Sequence, residues 1–190
     1  MSQASKDYLS FPADIPRPVD DGAADHLAGR QVPDLALTAT SGVAVNLSKF
    51  GQTAVVYAYP MTGVPGVALP EGWNEIPGAR GCTPESLSFR SAHDEIVALG
   101  AEVFGLSTQD TAYQQEMVGR LGLTFPVLSD AAFQFTQALN LPTMQVQGKR
   151  LLKRLTMVIR GGRIAQVFYP VFPPDQAPVA VLAWLRANPV

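Results

Sequence analysis

The sequence contains little cysteine, little histidine and no charge excess of one sign. Its 190 residues include one Cys, two His, 14 Lys and Arg, and 16 Asp and Glu. One Cys cannot form an internal disulfide, and with two His it cannot complete a structural zinc site. Disulfide-stabilised secreted folds and zinc domains are therefore excluded. A net charge of −2 offers no cationic surface for nucleic acid.

Long hydrophobic runs are also missing. No apolar segment approaches the roughly 20 residues that cross a bilayer, and the start MSQASKD lacks the layout of a secretory signal. We therefore expect a cytoplasmic protein without a membrane or nucleic-acid partner. Hydrophobic residues make up 47% of the chain, which is enough for one domain with a buried core.

The beginning of the chain differs from the remainder. Residues 1–31 contain several prolines and an Asp-Asp pair with little hydrophobic periodicity. This composition predicts an extended N-terminal arm. Regular patterns begin at Val32, so a single domain is expected over 32–190.

Hydrophobic patterns with the periods of strands and helices alternate over this domain. In chain order they predict a hairpin in 32–47, a strand over 53–59, a helix over 84–99, a strand over 101–106, a helix over 112–121, a strand over 125–128, a helix over 131–139, antiparallel strands over 155–159 and 164–169, and a helix over 178–187. This order predicts an α/β fold, a mixed sheet covered on both faces by helices.

The single cysteine, Cys82, lies between a buried strand and a helix, with Pro84 at about the first helical position. Free N–H groups and the dipole at a helix start stabilise a thiolate, which is the nucleophilic form. A lone cysteine is also commonly a small buried hydrophobic residue. The position of Cys82 at a helix start favours a role as a nucleophile.

Several segments around Cys82 follow one another in a characteristic order. They are Tyr59-Pro60, GCTPESLSFR at 81–90, GLSTQD at 105–110, FPVLSD at 125–130 and KRLTMVIRGGRI at 153–164. The chain resembles peroxiredoxins over residues 30–190, most closely the bacterioferritin-comigratory branch. The resemblance implies a thioredoxin-like fold and the reduction of hydrogen peroxide and organic hydroperoxides by a cysteine thiolate. It implies neither a metal nor another cofactor.

The resemblance also implies roles for three residues. Cys82 matches the peroxidatic cysteine, and Arg154 matches the arginine that holds the sulfur anionic and binds the peroxide oxygens. Lys153 is adjacent, and an exposed strand-edge charge is the other interpretation of Arg154. Glu85 matches a glutamate that orients the arginine, although an acidic residue in a first helical turn is common without such a role.

Two motif positions depart from the family. Peroxiredoxins usually have Pro seven residues and Thr or Ser three residues before the cysteine, where this chain has Glu75 and Ala79. An insertion over 61–80 separates Pro60 from Cys82. Pro60 is then expected to shield the thiolate from water, and Thr62 to hydrogen-bond the peroxide oxygen and the sulfur. Pro77 is the competing candidate for the proline.

A third departure concerns the reaction cycle. Many relatives in this branch have a resolving cysteine five residues after the first, where this chain has Leu87. A sulfenic acid at Cys82 must then be resolved by an external thiol of the thioredoxin or glutathione type, or by Cys82 of a second subunit. Both a monomer and a homodimer fit the family.

The insertion and the overall activity each leave two interpretations open. Residues 61–80 either form a loop that packs under its own side chains, including Trp73, or a lid with an apolar wall beside Cys82. The protein is either a peroxidase or a redox sensor that uses Cys82 without efficient turnover.

Overall fold

The computed structural model describes residues 15–190, so part of the predicted arm, residues 1–14, lies outside the described residues. The described chain forms one seven-stranded sheet, a separate two-stranded sheet and helices. The helices are α1 (Cys82–Ala98), α2 (Thr111–Leu121), α3 (Gln134–Leu139) and α4 (Ala177–Ala187), and the strands are β1 (Leu37–Ala39), β2 (Ala44–Val45), β3 (Thr53–Ala58), β4 (Ala101–Ser107), β5 (Val127–Ser129), β6 (Thr143–Val146), β7 (Lys149–Leu152), β8 (Leu155–Arg160) and β9 (Arg163–Phe168).

The large sheet is mixed and has the order β2-β1-β5-β4-β3-β8-β9. β3 and β4 are parallel, as are β4 and β5, whereas β8 pairs antiparallel with both β3 and β9. The predicted α/β fold is therefore confirmed. Because β3 and β4 run in the same direction, their carboxyl ends lie at the same edge of the sheet.

β3 is at the centre of the sheet and all six of its residues are buried. Side chains alternate between the faces of a strand, so Val55 and Tyr57 pack with α1 and α4 while Val56 packs in the cluster on the other face. This explains the continuous apolar run of the sequence. A strand covered on both faces has no polar side.

Several elements differ from their predictions. α1 begins at Cys82 itself, two residues before the predicted start. α3 begins at Gln134, because Phe133 adopts a left-handed conformation at φ 58° and interrupts the predicted helix. The hairpin of β6 and β7 was not predicted, since its turn residues Gln147 and Gly148 do not form one of the strongest hairpin dipeptides.

Residues 15–31 pack against the domain. Ala24 and Leu27 are buried in the same cluster as the sheet residues, and Gln31 forms a bridge with Arg163. The Asp21 carboxylate accepts hydrogen bonds from Lys153 and from the Tyr169 hydroxyl. This part of the predicted arm is therefore in contact with the sheet, and the division of the chain at residue 31 stays a prediction.

Candidate active site

Cys82 is the first residue of α1, and its side chain is only 4% exposed. The preceding residue, Gly81, has φ 108°, a conformation that glycine adopts without strain, and it leads the chain into the helix. Tyr57 of β3 positions the helix: its ring lies 4.5 Å from that of Phe89, and its hydroxyl donates to Ser86 Oγ at 3.1 Å. Aromatic packing thus places the helix start beside the end of β3.

Arg154 reaches this cysteine from the segment between β7 and β8. Its Nη2 donates to Cys82 Sγ at 3.2 Å and lies within 3.3 Å of the carbonyl oxygens of Ala79 and Arg80. Its Nη1 donates to Glu85 Oε2, one turn along α1. The guanidinium therefore joins the sulfur to the carboxylate, as its forked donors allow.

The neighbouring Lys153 points elsewhere. Its ammonium group pairs with Asp21, whereas Arg154 and Glu85 are 3% and 0% exposed. Of the two adjacent cations, only Arg154 is at the sulfur. The geometry thus supports the assignment of Arg154 over Lys153, and its catalytic role stays a prediction.

Burial shifts the pKa values of Cys82 and Glu85, the two acidic side chains that contact Arg154. Burial raises the pKa of Glu85 to about 7, although the nearby Arg154 charge lowers it. Burial likewise raises the pKa of the Cys82 thiol; Arg154 opposes this shift and Glu85 adds to it. The thiol donates to the Ala79 carbonyl at 3.6 Å. The helix start was expected to activate the sulfur; burial acts in the opposite direction, and the activation stays a prediction.

The segment after β3 lies against the sulfur. Pro60 and Thr62 are buried, and the backbone N–H of Met61, between them, hydrogen-bonds Cys82. Pro77 is exposed. The insertion therefore leaves Pro60, Met61 and Thr62 beside the cysteine, although they precede it by 20 to 22 positions in the sequence.

Gln109 holds this segment and had no role in the sequence-based prediction. Its Oε1 accepts from the Thr62 backbone N–H at 3.0 Å and from the Thr62 hydroxyl at 3.4 Å, and its Nε2 donates to the Thr62 carbonyl at 3.1 Å. The Thr62 hydroxyl thus bonds Gln109 in this structure, and its bond to a peroxide stays a prediction. Gln109 follows a strand parallel to β3, and this topology was the available signal.

The insertion packs against the β6–β7 hairpin. Trp73 and Ala79 form a buried cluster with Val146 and Leu151 of the hairpin. The hairpin therefore covers part of the apolar surface of the loop, whereas Val67 of the same loop is exposed.

Among residues 15–190, no group of three or more His, Cys, Asp and Glu is arranged to hold a metal ion.

A model of the redoxin family matches residues 27–182. Peroxiredoxin Q of Oryza sativa subsp. japonica, a chloroplastic protein, is 28% identical over 149 residues, which are 78% of this chain and 61% of the relative. Peroxiredoxin Bcp of Xanthomonas campestris pv. campestris is 28% identical over 163 residues, which are 82% of this chain and 90% of the relative. The chain thus spans about three fifths of the rice protein and most of the bacterial one.

Solved structures agree with the sequence matches. The peroxidoxin BcpB of Mycobacterium tuberculosis superposes with a TM-score of 0.69 and 25% identity, covering 86% of this chain and 99% of that protein. The fold is accordingly thioredoxin-like. The chain belongs to the redoxin family. Within that family it is a peroxiredoxin of the bacterioferritin-comigratory type.

Proposed function

We propose that this protein is a thiol peroxidase that reduces hydrogen peroxide and organic hydroperoxides through Cys82. The observation that carries the proposal is the Arg154 guanidinium, which bonds both the Cys82 sulfur and Glu85 inside a buried site. A fixed cation at a cysteine favours the thiolate and attracts the oxygens of a peroxide. A relative from Xanthomonas campestris, the bacterioferritin comigratory protein, has alkyl peroxide reduction activity.

The reaction begins with loss of the thiol proton. Glu85 competes with the thiolate for the charge of Arg154, so a protonated Glu85 leaves that charge to the sulfur. The thiolate then attacks the outer oxygen of the peroxide, a sulfur–oxygen bond forms and the oxygen–oxygen bond breaks. The departing oxygen takes a proton and leaves as water or an alcohol, while Cys82 becomes a sulfenic acid. Arg154 would stabilise the charge that develops on the departing oxygen.

We assign supporting roles to the segment after β3. Pro60 shields the sulfur from water, and Thr62 hydrogen-bonds the peroxide when it displaces the weak bond to Gln109. Replacing Thr62 with Val removes the hydroxyl and keeps the shape of the side chain. An unchanged rate of oxidation in Thr62→Val would contradict this role.

An external thiol completes the cycle. Position 87 is leucine and Cys82 is the only cysteine of the chain, so the sulfenic acid has no partner within the same chain. A thiol of the thioredoxin or glutathione type condenses with it, releases water and forms a mixed disulfide, and a second thiol then restores Cys82. Cys82 of a second subunit is the other possible partner. Both a monomer and a homodimer remain compatible with this scheme.

The decisive experiment is stopped-flow oxidation of the reduced protein by hydrogen peroxide and by cumene hydroperoxide. We expect stoichiometric oxidation far faster than that of a free thiol, with dimedone trapping the sulfenic acid at Cys82. Cys82→Ser is the control and should not react. A rate no better than that of a free thiol would contradict the peroxidase.

A redox sensor is the second candidate, and the burial of Cys82 favours it because burial raises the pKa of the thiol. A sensor would react once and then change its binding to a partner. Sustained peroxide consumption with an added thiol distinguishes the peroxidase from the sensor. Turnover that stops after one equivalent would favour the sensor.

The cellular location is a separate question. Among residues 15–190, no helix has the length and hydrophobicity to span a membrane. We propose that the protein is cytoplasmic. The plant relatives are chloroplastic proteins, so they do not support this location. Fractionation of the source cells would test it.

A further inference from the structure

The chain that joins Thr62 to the cysteine is too long to hold the two residues together. Thr62 precedes Cys82 by 20 positions, and most of this stretch is an irregular loop. A connection of this length does not by itself fix how its two ends lie relative to each other. Contacts with other elements must therefore keep Thr62 beside the sulfur.

One side chain, that of Gln109, binds every hydrogen-bonding group of Thr62. Its Oε1 accepts from the Thr62 N–H at 3.0 Å and from the hydroxyl at 3.4 Å, and its Nε2 donates to the Thr62 carbonyl at 3.1 Å. An amide can do this because it carries an acceptor and two donors. The N–H and the carbonyl belong to the peptide groups on either side of the Thr62 Cα, so Gln109 orients both peptide groups.

Gln109 is itself fixed at the ends of two strands. Its backbone N–H donates to Ser107 Oγ at 3.3 Å, and its carbonyl accepts from Ser129 Oγ at 2.6 Å. Ser107 ends β4 and Ser129 ends β5, and both strands run in the same direction as β3. Their carboxyl ends therefore lie at the edge of the sheet where the chain leaves β3 towards Thr62. The sheet edge thus supports the amide.

The residues on either side of Thr62 have partners of their own. The Met61 N–H hydrogen-bonds the sulfur, and the Gly63 carbonyl accepts from Arg120 Nη2 at 3.0 Å. Three successive residues are therefore held by three different partners. Gln109 binds the middle one, so its loss should loosen Met61 at the sulfur as well as Thr62.

We propose that Gln109 is a positioning residue of the peroxidase, which ties Thr62 to the sheet edge and thereby holds the Thr62 hydroxyl and the Met61 N–H at Cys82. The inference rests on the proposed function and adds a residue to it. Gln109 acts through Thr62 rather than on the sulfur itself. Its contribution is the orientation of two hydrogen-bond donors before the peroxide arrives.

The test replaces Gln109 with Met, which keeps the length of the side chain and removes the three hydrogen bonds to Thr62. We expect hydrogen peroxide to oxidise the reduced variant about tenfold more slowly than the wild type in stopped-flow measurements. The pH at which the rate rises should also move upward. The reason is that the Met61 N–H lowers the pKa of the Cys82 thiol, and this bond is loosened in the variant.

Gln115→Met is the matched control. Gln115 is an exposed residue of α2, and its amide donates to the Thr40 carbonyl at 3.3 Å, away from the segment 61–63. This variant undergoes the same substitution and also loses a hydrogen bond to a backbone carbonyl. Its rate and pH dependence should equal those of the wild type.

A double variant distinguishes positioning from a general loss of structure. If Gln109 acts through Thr62, Gln109→Met should cost little more in a protein that already carries Thr62→Val. The loss of rate in the double variant should then be smaller than the product of the two single losses. Two substitutions with independent effects on the fold would instead give the full product.

Gln109→Met is expected to fold. Gln109 is half-buried and lines a cavity of about 650 Å³ together with Met61, so water can reach the backbone groups that the amide releases. Gln109→Asn carries the test if the Met variant is unstable. It retains the amide but is one methylene shorter, so its rate and pH dependence should change in the same direction.

Two different failures are distinguishable. Wild-type rates and pH dependence in the Gln109 variants, or a full product of losses in the double variant, would overturn the inference while fast oxidation of the wild type upheld the peroxidase. A wild-type protein oxidised no faster than a free thiol would instead overturn the proposed function.

Discussion

Cys82, Glu85 and Arg154 place two acids and one cation in a buried site. A buried cation is stabilised by one negative charge, and a second negative charge there is costly. The thiol and the carboxyl therefore titrate as a pair, each opposing ionisation of the other. Both pKa values are raised, that of Glu85 to about 7. We therefore expect the reactivity of the sulfur to depend on the protonation state of Glu85.

At the residue scale, we expect the planar guanidinium geometry of Arg154 to affect the rate of Cys82 oxidation more than its charge does. Arg154→Lys keeps the charge but loses the rigid planar arrangement of donors that holds Cys82 and Glu85 together, so we expect oxidation by hydrogen peroxide to slow by about 100-fold. Stopped-flow measurement on the reduced variant checks this. Lys153→Gln is the matched control, because Lys153 pairs with Asp21, and its rate should stay within about twofold of the wild type. Equal losses in the two variants would contradict the assignment.

Glu85 should make stability depend on pH. Its carboxyl ionises at 4.5 when unfolded and at about 7 when folded, so between these values the folded state binds more protons. Raising the pH through this window therefore favours unfolding. We expect the free energy of unfolding of the wild type, relative to Glu85→Gln, to fall by about 3 kcal/mol between pH 4.5 and 7. Denaturant titrations at several pH values measure it.

The same variant supplies a second readout. Glu85→Gln removes the charge that raises the pKa of Cys82, so the thiol should titrate at lower pH than in the wild type. Ultraviolet titration of the thiolate follows this change. Parallel stability curves together with an unchanged thiol pKa would show that Glu85 is ionised throughout this range and that the coupling is absent.

At the scale of an element, the β8–β9 turn depends on two glycines for different reasons. Gly161 and Gly162 both have positive φ, but a Cβ on Gly161 would meet nothing within 4 Å, whereas one on Gly162 would lie 2.6 Å from the Ser48 carbonyl oxygen. We expect Gly161→Ala to cost about 1 to 2 kcal/mol and Gly162→Ala about 2 to 5 kcal/mol. Thermal and denaturant unfolding of the pair checks the order, and equal losses would contradict the close contact.

Among the elements, the regular ones were the most predictable. The continuous apolar run over 53–59 identifies β3, because a strand buried on both faces has hydrophobic residues at every position. The spacing of Phe89 and Ile96 identifies α1, because a helix buried on one face repeats its hydrophobic residues about every 3.6 positions. The β6–β7 hairpin was missed because β6 has only one fully buried residue, Val146, and therefore shows little alternation. The hairpin packs against the insertion, a contact between segments that are distant in the sequence.

At the scale of the whole molecule, a single thiol determines the fate of the oxidised protein. In excess hydrogen peroxide without a reductant, we expect the sulfenic acid of Cys82 to proceed to the sulfinic acid, because the chain holds no second cysteine to intercept it. Intact mass should then show the addition of two oxygen atoms. Excess glutathione in a parallel sample should suppress this product, and its absence from both samples would contradict an unresolved sulfenate.

The sequence alone was sufficient to predict the α/β class, the position of Cys82 near a helix start, and Arg154 and Glu85 as its expected partners. These follow from local periodicity and from motif residues that are close in the chain or similar to a known family. Only the tertiary structure placed Arg154 rather than Lys153 on the sulfur and brought Met61 and Gln109 to the site across the insertion. Such contacts depend on which strand ends meet and on how fully the site is buried, and neither is encoded in a local pattern.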